Sequence, residues 1–148
     1  MSIKKILIWI PAIIMAMLIF GFSKQDGEES SGLSYKAADI ILTVCDKAGI
    51  IDCNENNRES MIEAVQFPIR KAAHMTEYAI LAFLLYKTFI HKQNPLIKSF
   101  IFTALYACSD EFHQLFISGR AGQIRDVCID STGALIMLLI IYFILKRK

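Results

Sequence analysis

The chain has 148 residues, of which 55% are hydrophobic and only 20% are charged. This composition excludes a disordered protein, and four cysteines are too few for a disulfide-dense scaffold. The apolar residues form blocks instead of heptads, which excludes a coiled coil. An integral membrane protein of one domain is therefore expected, and a net charge of +2 gives no indication of nucleic-acid binding.

The first apolar block runs from Ile6 to Phe22 without a charged residue and directly follows Lys4 and Lys5. A run of this length can cross a hydrocarbon core of about 30 Å. A cleaved signal peptide is the alternative, because Gly21 and Ser23 are small residues near a plausible cleavage site. We expect an uncleaved anchor.

The one long hydrophilic segment is an outer loop over residues 23–70. Its beginning, Ser23–Gly32, is rich in Ser, Gly and Glu and predicts a flexible entry. Ser34 is expected to cap a helix that ends at about Lys47, and a second helical piece is predicted from about Arg58 to Gln66. One face of the first helix is apolar and comprises Ala38, Ile41, Leu42 and Cys45. This face either lies on the membrane surface or packs against the bundle.

The cysteines fall into two groups. Cys45 and Cys53 lie in the outer loop, where an oxidising exterior allows a disulfide, but sequence spacing does not fix the required geometry. Both the disulfide and the free thiols therefore stay open. Cys108 and Cys128 lie in apolar segments and are expected to be small packing residues.

Four spans are predicted, at about residues 5–22, 72–90, 97–116 and 126–145. The last three approach the required length of about 20 residues only if their charged outer ends are counted. Between the second and third spans, the link His91–Pro95 contains Asn-Pro, a turn signal that predicts a hairpin. The expected fold is an all-α, integral membrane four-helix bundle with an outer amphipathic helical segment, a single domain over residues 1–148.

The charged residues are divided unequally between the two sides of such a bundle. The side that holds both termini carries eight of the 16 Lys and Arg residues and none of the 14 Asp and Glu residues. Basic residues in short loops face the cytoplasm. We therefore expect a multi-pass protein of the bacterial cytoplasmic membrane with both termini cytoplasmic and its polar site facing the exterior.

Polar residues concentrate at the outer ends of spans two, three and four. The candidate acid–base residues are His74, Glu77, Asp110, Glu111, His113, Asp126 and Asp130, and the candidate substrate-binding residues are Arg70, Lys71, Gln114, Arg120 and Arg125. Lys71, His74 and Glu77 share one helix face because they are three residues apart. In span three, Asp110 shares a face with His113, whereas Glu111 is expected to turn partly away.

Carboxylates in a membrane helix need compensation, because each costs roughly 2.5–3.5 kcal/mol at the centre and less toward the interface. Basic neighbours, a shared proton or a bound cation can supply it. The pairs His74-x-x-Glu77 and Asp110-x-x-His113 each offer two metal ligands at a spacing that is common in helices, so a divalent cation stays open. The simpler alternative is that Arg and Asp pair only to fasten the helix ends.

Three segments of the sequence resemble one known family. They are Phe22-Ser23-Lys24-Gln25, Lys71-Ala72-Ala73-His74-Met75-Thr76-Glu77-Tyr78, and the run from Ser109-Asp110-Glu111-Phe112-His113-Gln114-Leu115-Phe116 through Gly119-Arg120 to Asp126-Val127-Cys128-Ile129-Asp130-Ser131-Thr132-Gly133. The chain is thereby similar to the VanZ-like proteins, named for a teicoplanin resistance protein. The resemblance implies a small multispan protein of the bacterial envelope, and it implies an important site at His74, Glu77, Asp110, Glu111, His113, Gln114, Arg120, Asp126 and Asp130. It supplies no reaction.

Two functions are consistent with these residues. The first is an envelope protein that acts on or binds a membrane lipid, a lipid-linked cell-wall precursor or a glycopeptide, and contributes to teicoplanin resistance. The alternative is a membrane hydrolase or transferase, with or without a bound metal ion, acting on a phospholipid or glycolipid, with no resistance role. In the enzyme, Arg120 and Arg125 would hold a phosphate, while His113 exchanges protons with Asp110 or Glu77. A proton transporter is disfavoured because the inner half of every span is apolar.

The sequence lacks the common signatures of soluble cofactors and serine nucleophiles. No G-x-S-x-G, G-x-G-x-x-G or G-x-x-x-x-G-K-[ST] occurs. The identity of any cofactor, the substrate and the oligomeric state are not determined by the sequence.

Overall fold

The structure is a computed structural model that describes residues 7–24, 27–117 and 122–147. Within these residues five helices follow one another: α1 (Ile10–Ser23), α2 (Gly27–Lys47), α3 (Arg58–Phe89), α4 (Pro95–Gln114) and α5 (Ile124–Lys146). No strand occurs among the described residues. The predicted all-α class is therefore confirmed for this part of the chain.

Only α5 among the described helices is long and apolar enough to cross a membrane, judged by length and composition. Its 23 residues expose most of their surface, since 28% of the apolar window is buried. The apolar helix α1 has only 14 residues, and α3 and α4 carry charged side chains toward their outer ends. The predicted four spans thus reduce to one clear candidate, and the four-helix membrane bundle stays a proposal.

Helix α2 begins earlier than the sequence predicted. It starts at Gly27, so the segment 27–32 is helical and not a flexible entry. Ser34 does not cap the helix, because its hydroxyl donates to the carbonyl of Ser31 inside it, at 3.3 Å. Ser and Gly lower helix propensity only by fractions of about 1 kcal/mol each, which continued backbone hydrogen bonding can offset.

The second helical piece of the outer loop is part of one long helix. Helix α3 runs without interruption for 32 residues and contains Pro68 in its interior. Proline removes one backbone donor and does not by itself end a helix that is packed on its neighbours. At the other end of α3, the predicted turn is present: Asn94 has φ 52° and Pro95 follows as the first residue of α4.

Two apolar cores hold α3 between its neighbours. The first joins α1, α3 and α4 through Ala12, Ile19, Tyr78, Leu81, Leu85, Phe89 and Ala107. The second joins α3 and α5 through Ala82, Tyr86, Ala134, Leu138 and Ile141. The Tyr106 hydroxyl adds a polar tie, since it donates to the Ala16 carbonyl at 2.5 Å. Helix α3 is therefore the central element of the bundle.

Helix α2 packs on the beginning of α3. Ala38 and Leu42 of α2 are buried against Ile62, which confirms the packing alternative for these two side chains. Ile41 of the same predicted face is exposed, as are its neighbours Ile40 and Val44. Polar contacts also join α2 to α3. The Arg58 guanidinium lies 2.6 Å from the Asp39 carboxylate and donates to the Thr43 hydroxyl at 2.6 Å. The Tyr35 hydroxyl donates to the Glu59 carboxylate at 2.7 Å.

All four cysteines are free. Cys45 and Cys53 are half-buried thiols, and Arg58 Nη1 lies 3.9 Å from the sulfur of Cys53. Cys108 and Cys128 are exposed, so the prediction that they are packing residues is wrong. Each lies on a helix face that is not part of the two cores. The sequence does not show this, because both cysteines lie in apolar segments.

Candidate functional site

The carboxylates of α3, α4 and α5 converge at one end of these helices. Asp110 of α4 interacts electrostatically with Glu77 of α3 and with Asp130 of α5. Glu111 interacts with both Asp110 and Asp126. We call the five carboxylates, together with Lys71 and Tyr78, the polar cluster. The convergence predicted from helix periodicity is therefore present in the structure.

Burial is deepest where the polar cluster meets the apolar cores. Asp110 is 3% exposed and follows the buried Ala107 by three residues, while Asp130 is 2% exposed and lies one turn before Ala134. Because residues three and four apart share a helix face, the same periodicity that packs the cores carries these acids into the helix junction. Glu77 keeps 22% of its side chain exposed and leads from the cluster to the surface.

A close contact between backbones sets the distance between α3 and α5. A Cβ added to Gly133 would overlap the backbone carbonyl of Met75. Only glycine leaves room for this approach. Gly133 lies three residues after Asp130, and Met75 two residues before Glu77, so this contact brings the acids of the two helices together.

One ion pair compensates part of the negative charge. Lys71 Nζ lies 2.5 Å from Asp126, and its charge also acts on Glu111 and Asp130. It is the one Lys or Arg of the described residues that forms an ion pair with a carboxylate of the cluster. The alternative in which basic and acidic residues fasten the helix ends thus holds for Lys71 and Asp126.

Glu111 has a structural contact that the sequence did not indicate. It is buried instead of turning away, and its Oε2 accepts a hydrogen bond from the Gln123 amide at 2.9 Å. Gln123 caps the start of α5, where a carboxylate also compensates the helix dipole. A Cβ on Gly122 would overlap the Glu111 carbonyl, so the chain passes closely over α4 at this point.

Three buried oxygens of the cluster have no hydrogen-bond partner among the described residues: Asp110 Oδ1, Glu77 Oε2 and the Tyr78 hydroxyl. The other oxygen of Asp110 accepts from Gln114 Nε2 at 3.2 Å. Tyr78 is 0% exposed and interacts electrostatically with Asp110 and Asp130; its hydroxyl lies at the edge of hydrogen-bonding range of Asp110, short of good hydrogen-bond geometry. Unpartnered buried oxygens are uncommon in folded proteins and mark this corner of the cluster.

The two candidate histidines lie on different sides of the cluster. His74 Nδ1 is 3.7 Å from Glu77 Oε2 on the same helix face, as the spacing predicted. The ring of His113 stacks on Phe20 of α1, with centroids 4.6 Å apart. Its Nδ1 is buried and has no partner among the described residues.

The candidate arginines are more peripheral. The guanidinium of Arg70 lies over the Phe67 ring, 5.8 Å from its centroid, and Arg125 is exposed at the start of α5. Arg120 lies outside the described residues. The structure therefore brings the carboxylates and Lys71 together more closely than Arg70 and Arg125.

Two buried polar residues were absent from the predicted site. Tyr78 follows Glu77 directly, but an isolated tyrosine in an apolar helix is read as a core residue. Ser23 is fully buried at the end of α1, and its hydroxyl has no partner among the described residues. It follows the core residue Ile19 by one turn, which was the signal available in the sequence.

No group of three or more His, Cys, Asp or Glu side chains within residues 7–24, 27–117 and 122–147 is placed to hold a metal ion. The acids of the polar cluster lie on three helices, and their side-chain contacts are with Lys71, His74, Gln114 and Gln123. The carboxylate oxygens of the polar cluster can therefore accept hydrogen bonds.

Comparison with known families settles the relationship indicated by the sequence motifs. A model of the VanZ/LLP1 family matches residues 8–146. The chain belongs to the VanZ/LLP1 family. The resemblance to VanZ-like proteins is thereby confirmed. Searches of curated proteins and of solved structures gave no match.

VanZ/LLP1 membership suggests a cell-envelope protein with a relation to teicoplanin resistance. Proteins of this family are typically associated with membranes, which agrees with the apolar helix α5. The matched residues include every member of the polar cluster. The cluster is thus part of the VanZ/LLP1 domain and not an appended segment.

Proposed function

We propose that this protein is a multi-pass membrane protein of the bacterial envelope whose polar cluster binds the headgroup of a membrane lipid or lipid-linked wall precursor. Binding at the outer surface would alter access to the wall precursor and so contribute to glycopeptide resistance. The observation that carries the proposal is Asp110: a carboxylate 3% exposed, with one oxygen unpartnered among the described residues, at the junction of three helices.

The surface of the helices supports a membrane location. Large apolar side chains are exposed on α1, α4 and α5, among them Met17, Leu105 and Phe143. Exposed apolar side chains in such number are typical of contact with lipid or a partner. The basic residues at the opposite end of the spans orient the polar cluster to the exterior under the positive-inside rule.

Binding is favoured over metal-dependent catalysis by the partners of the acids. Lys71 and Gln114 already contact Asp126 and Asp110, which fixes two carboxylates in position. A preformed set of buried acceptors is suited to holding a donor group of a ligand. Acid–base chemistry has one supporting contact, the 3.7 Å approach of His74 to Glu77, and the same experiment can detect it.

The test compares wild type, Asp110→Asn and Glu55→Gln in a Gram-positive host at matched membrane levels. Glu55 is an exposed acid between α2 and α3 and serves as the matched control. We expect wild type and Glu55→Gln to lower teicoplanin susceptibility and Asp110→Asn to lose the effect. Equal protection by Asp110→Asn would exclude a role for the cluster. Mass spectrometry of copurified and released lipid separates binding from turnover, because only an enzyme changes the lipid.

A further inference from the structure

We propose that the polar cluster selects a primary ammonium group, so that its ligand is an amine-bearing lipid headgroup. This inference rests on the proposed function and specifies the chemistry of that site. It follows from the unpartnered oxygens at Asp110, Glu77 and Tyr78 and from where the charge of Lys71 is directed.

Among the described residues, one Lys or Arg side chain, Lys71, forms an ion pair with the cluster, and it lies on the α5 side. Lys71 acts on Asp126, Glu111 and Asp130, which lie on the α5 side. On the other side, Asp110 and Glu77 act on each other, and His74 Nδ1 lies 3.7 Å from Glu77 Oε2. Two carboxylates that repel one another in a partly buried site favour a ligand of positive charge.

The unpartnered oxygens indicate that a ligand can use several hydrogen-bond donors in the polar cluster. Asp110 Oδ1, Glu77 Oε2 and the Tyr78 hydroxyl oxygen each lack a donor among the described residues. A primary ammonium carries three N–H donors on a compact charged centre, so it can donate to both carboxylate oxygens while the Tyr78 hydroxyl stays beside Asp110. A trimethylated ammonium has the same charge and no N–H group, so it leaves these oxygens unpaired at a cost.

The lipid source follows from the position of the cluster. It lies at the ends of helices whose outer faces are strongly apolar, so an acyl chain can lie against them while the headgroup enters the cluster. Glu77 is 22% exposed, whereas the neighbouring Asp110 is 3% exposed, so a ligand would meet Glu77 first.

The experiment measures binding of short-chain lipids to the purified full chain in detergent by native mass spectrometry. The probes are phosphatidylethanolamine, phosphatidylcholine, phosphatidylglycerol and soluble ethanolamine. We expect phosphatidylethanolamine to bind at least tenfold more tightly than the other two lipids, the ratio expected when charge-assisted hydrogen bonds are lost. Asp110→Asn and Glu77→Gln should each weaken that binding about tenfold, and Glu55→Gln should not.

The other outcomes contradict the ammonium selection, the headgroup binding or the lipid source. Equal, Asp110-dependent binding of phosphatidylglycerol or phosphatidylcholine would overturn ammonium selection and leave headgroup binding intact. Absence of binding by all three lipids would overturn ammonium selection and exclude a membrane phospholipid as ligand, leaving the lipid-linked wall precursor as the ligand of the proposed function. Ethanolamine binding as tightly as phosphatidylethanolamine would exclude the lipid source. If Asp110→Asn does not fold, the wild-type lipid series and the more exposed Glu77→Gln still decide.

Discussion

Replacing Gly133 by alanine tests the close approach of α3 and α5. The added Cβ would meet only backbone atoms of Met75, so no side-chain rotation can relieve the overlap. The helices must separate, and overpacking of this kind costs about 1–3 kcal/mol. Because the overlap is with backbone, the cost lies in the upper part of that range, at about 2–3 kcal/mol. Alanine regains about 1 kcal/mol of helix propensity, which leaves a net destabilisation of about 1–2 kcal/mol.

Two other helical glycines provide matched controls for this substitution. Nothing lies within 4 Å of a Cβ at Gly21 or Gly32, so alanine there should be neutral or stabilise by up to about 1 kcal/mol. Thermal unfolding in detergent measures the difference. Each kcal/mol corresponds to about 2–4 °C for a chain of this length, so Gly133→Ala should unfold roughly 2–8 °C below wild type. An unfolding temperature equal to that of the Gly21 and Gly32 variants would refute the close contact.

Three further substitutions test other contacts. Lys71→Met should destabilise the protein by about 2 kcal/mol because it leaves Asp126 unpaired, and Lys71→Met combined with Asp126→Leu should recover most of that loss in thermal unfolding. Arg58→Ala should raise hydrogen exchange of the α2 amides with an effect that shrinks in high salt, since its ion pair is partly exposed; unchanged exchange would exclude the role of that pair. The hydrogen bond to Glu59 and the negative charge of that carboxylate raise the pKa of Tyr35 above its ordinary value of 10.0. Glu59→Gln should therefore lower the pKa in an ultraviolet titration referenced to Tyr35→Phe, and an unchanged titration would contradict the contact.

The all-α fold and the polar cluster could be predicted from the sequence because both depend on periodicity. Apolar residues at helical spacing indicate which face is buried, and polar residues at the same spacing share that face. Glu77, Asp110 and Asp130 were therefore identified without coordinates, and the VanZ-like motifs placed them in one family. The charge asymmetry also gave an orientation that stays a prediction.

The tertiary structure decided which of these groups have partners. Sequence spacing within one helix cannot show that Lys71 of α3 meets Asp126 of α5, or that Glu111 accepts from Gln123, because such contacts depend on how separate helices approach. The early start of α2 at Gly27 and the continuity of α3 through Pro68 also depend on packing, which outweighs the weak helix propensity of these segments. For the same reason the unpartnered Tyr78 hydroxyl was invisible in the sequence: a buried oxygen is recognised only when the positions of its neighbours are known.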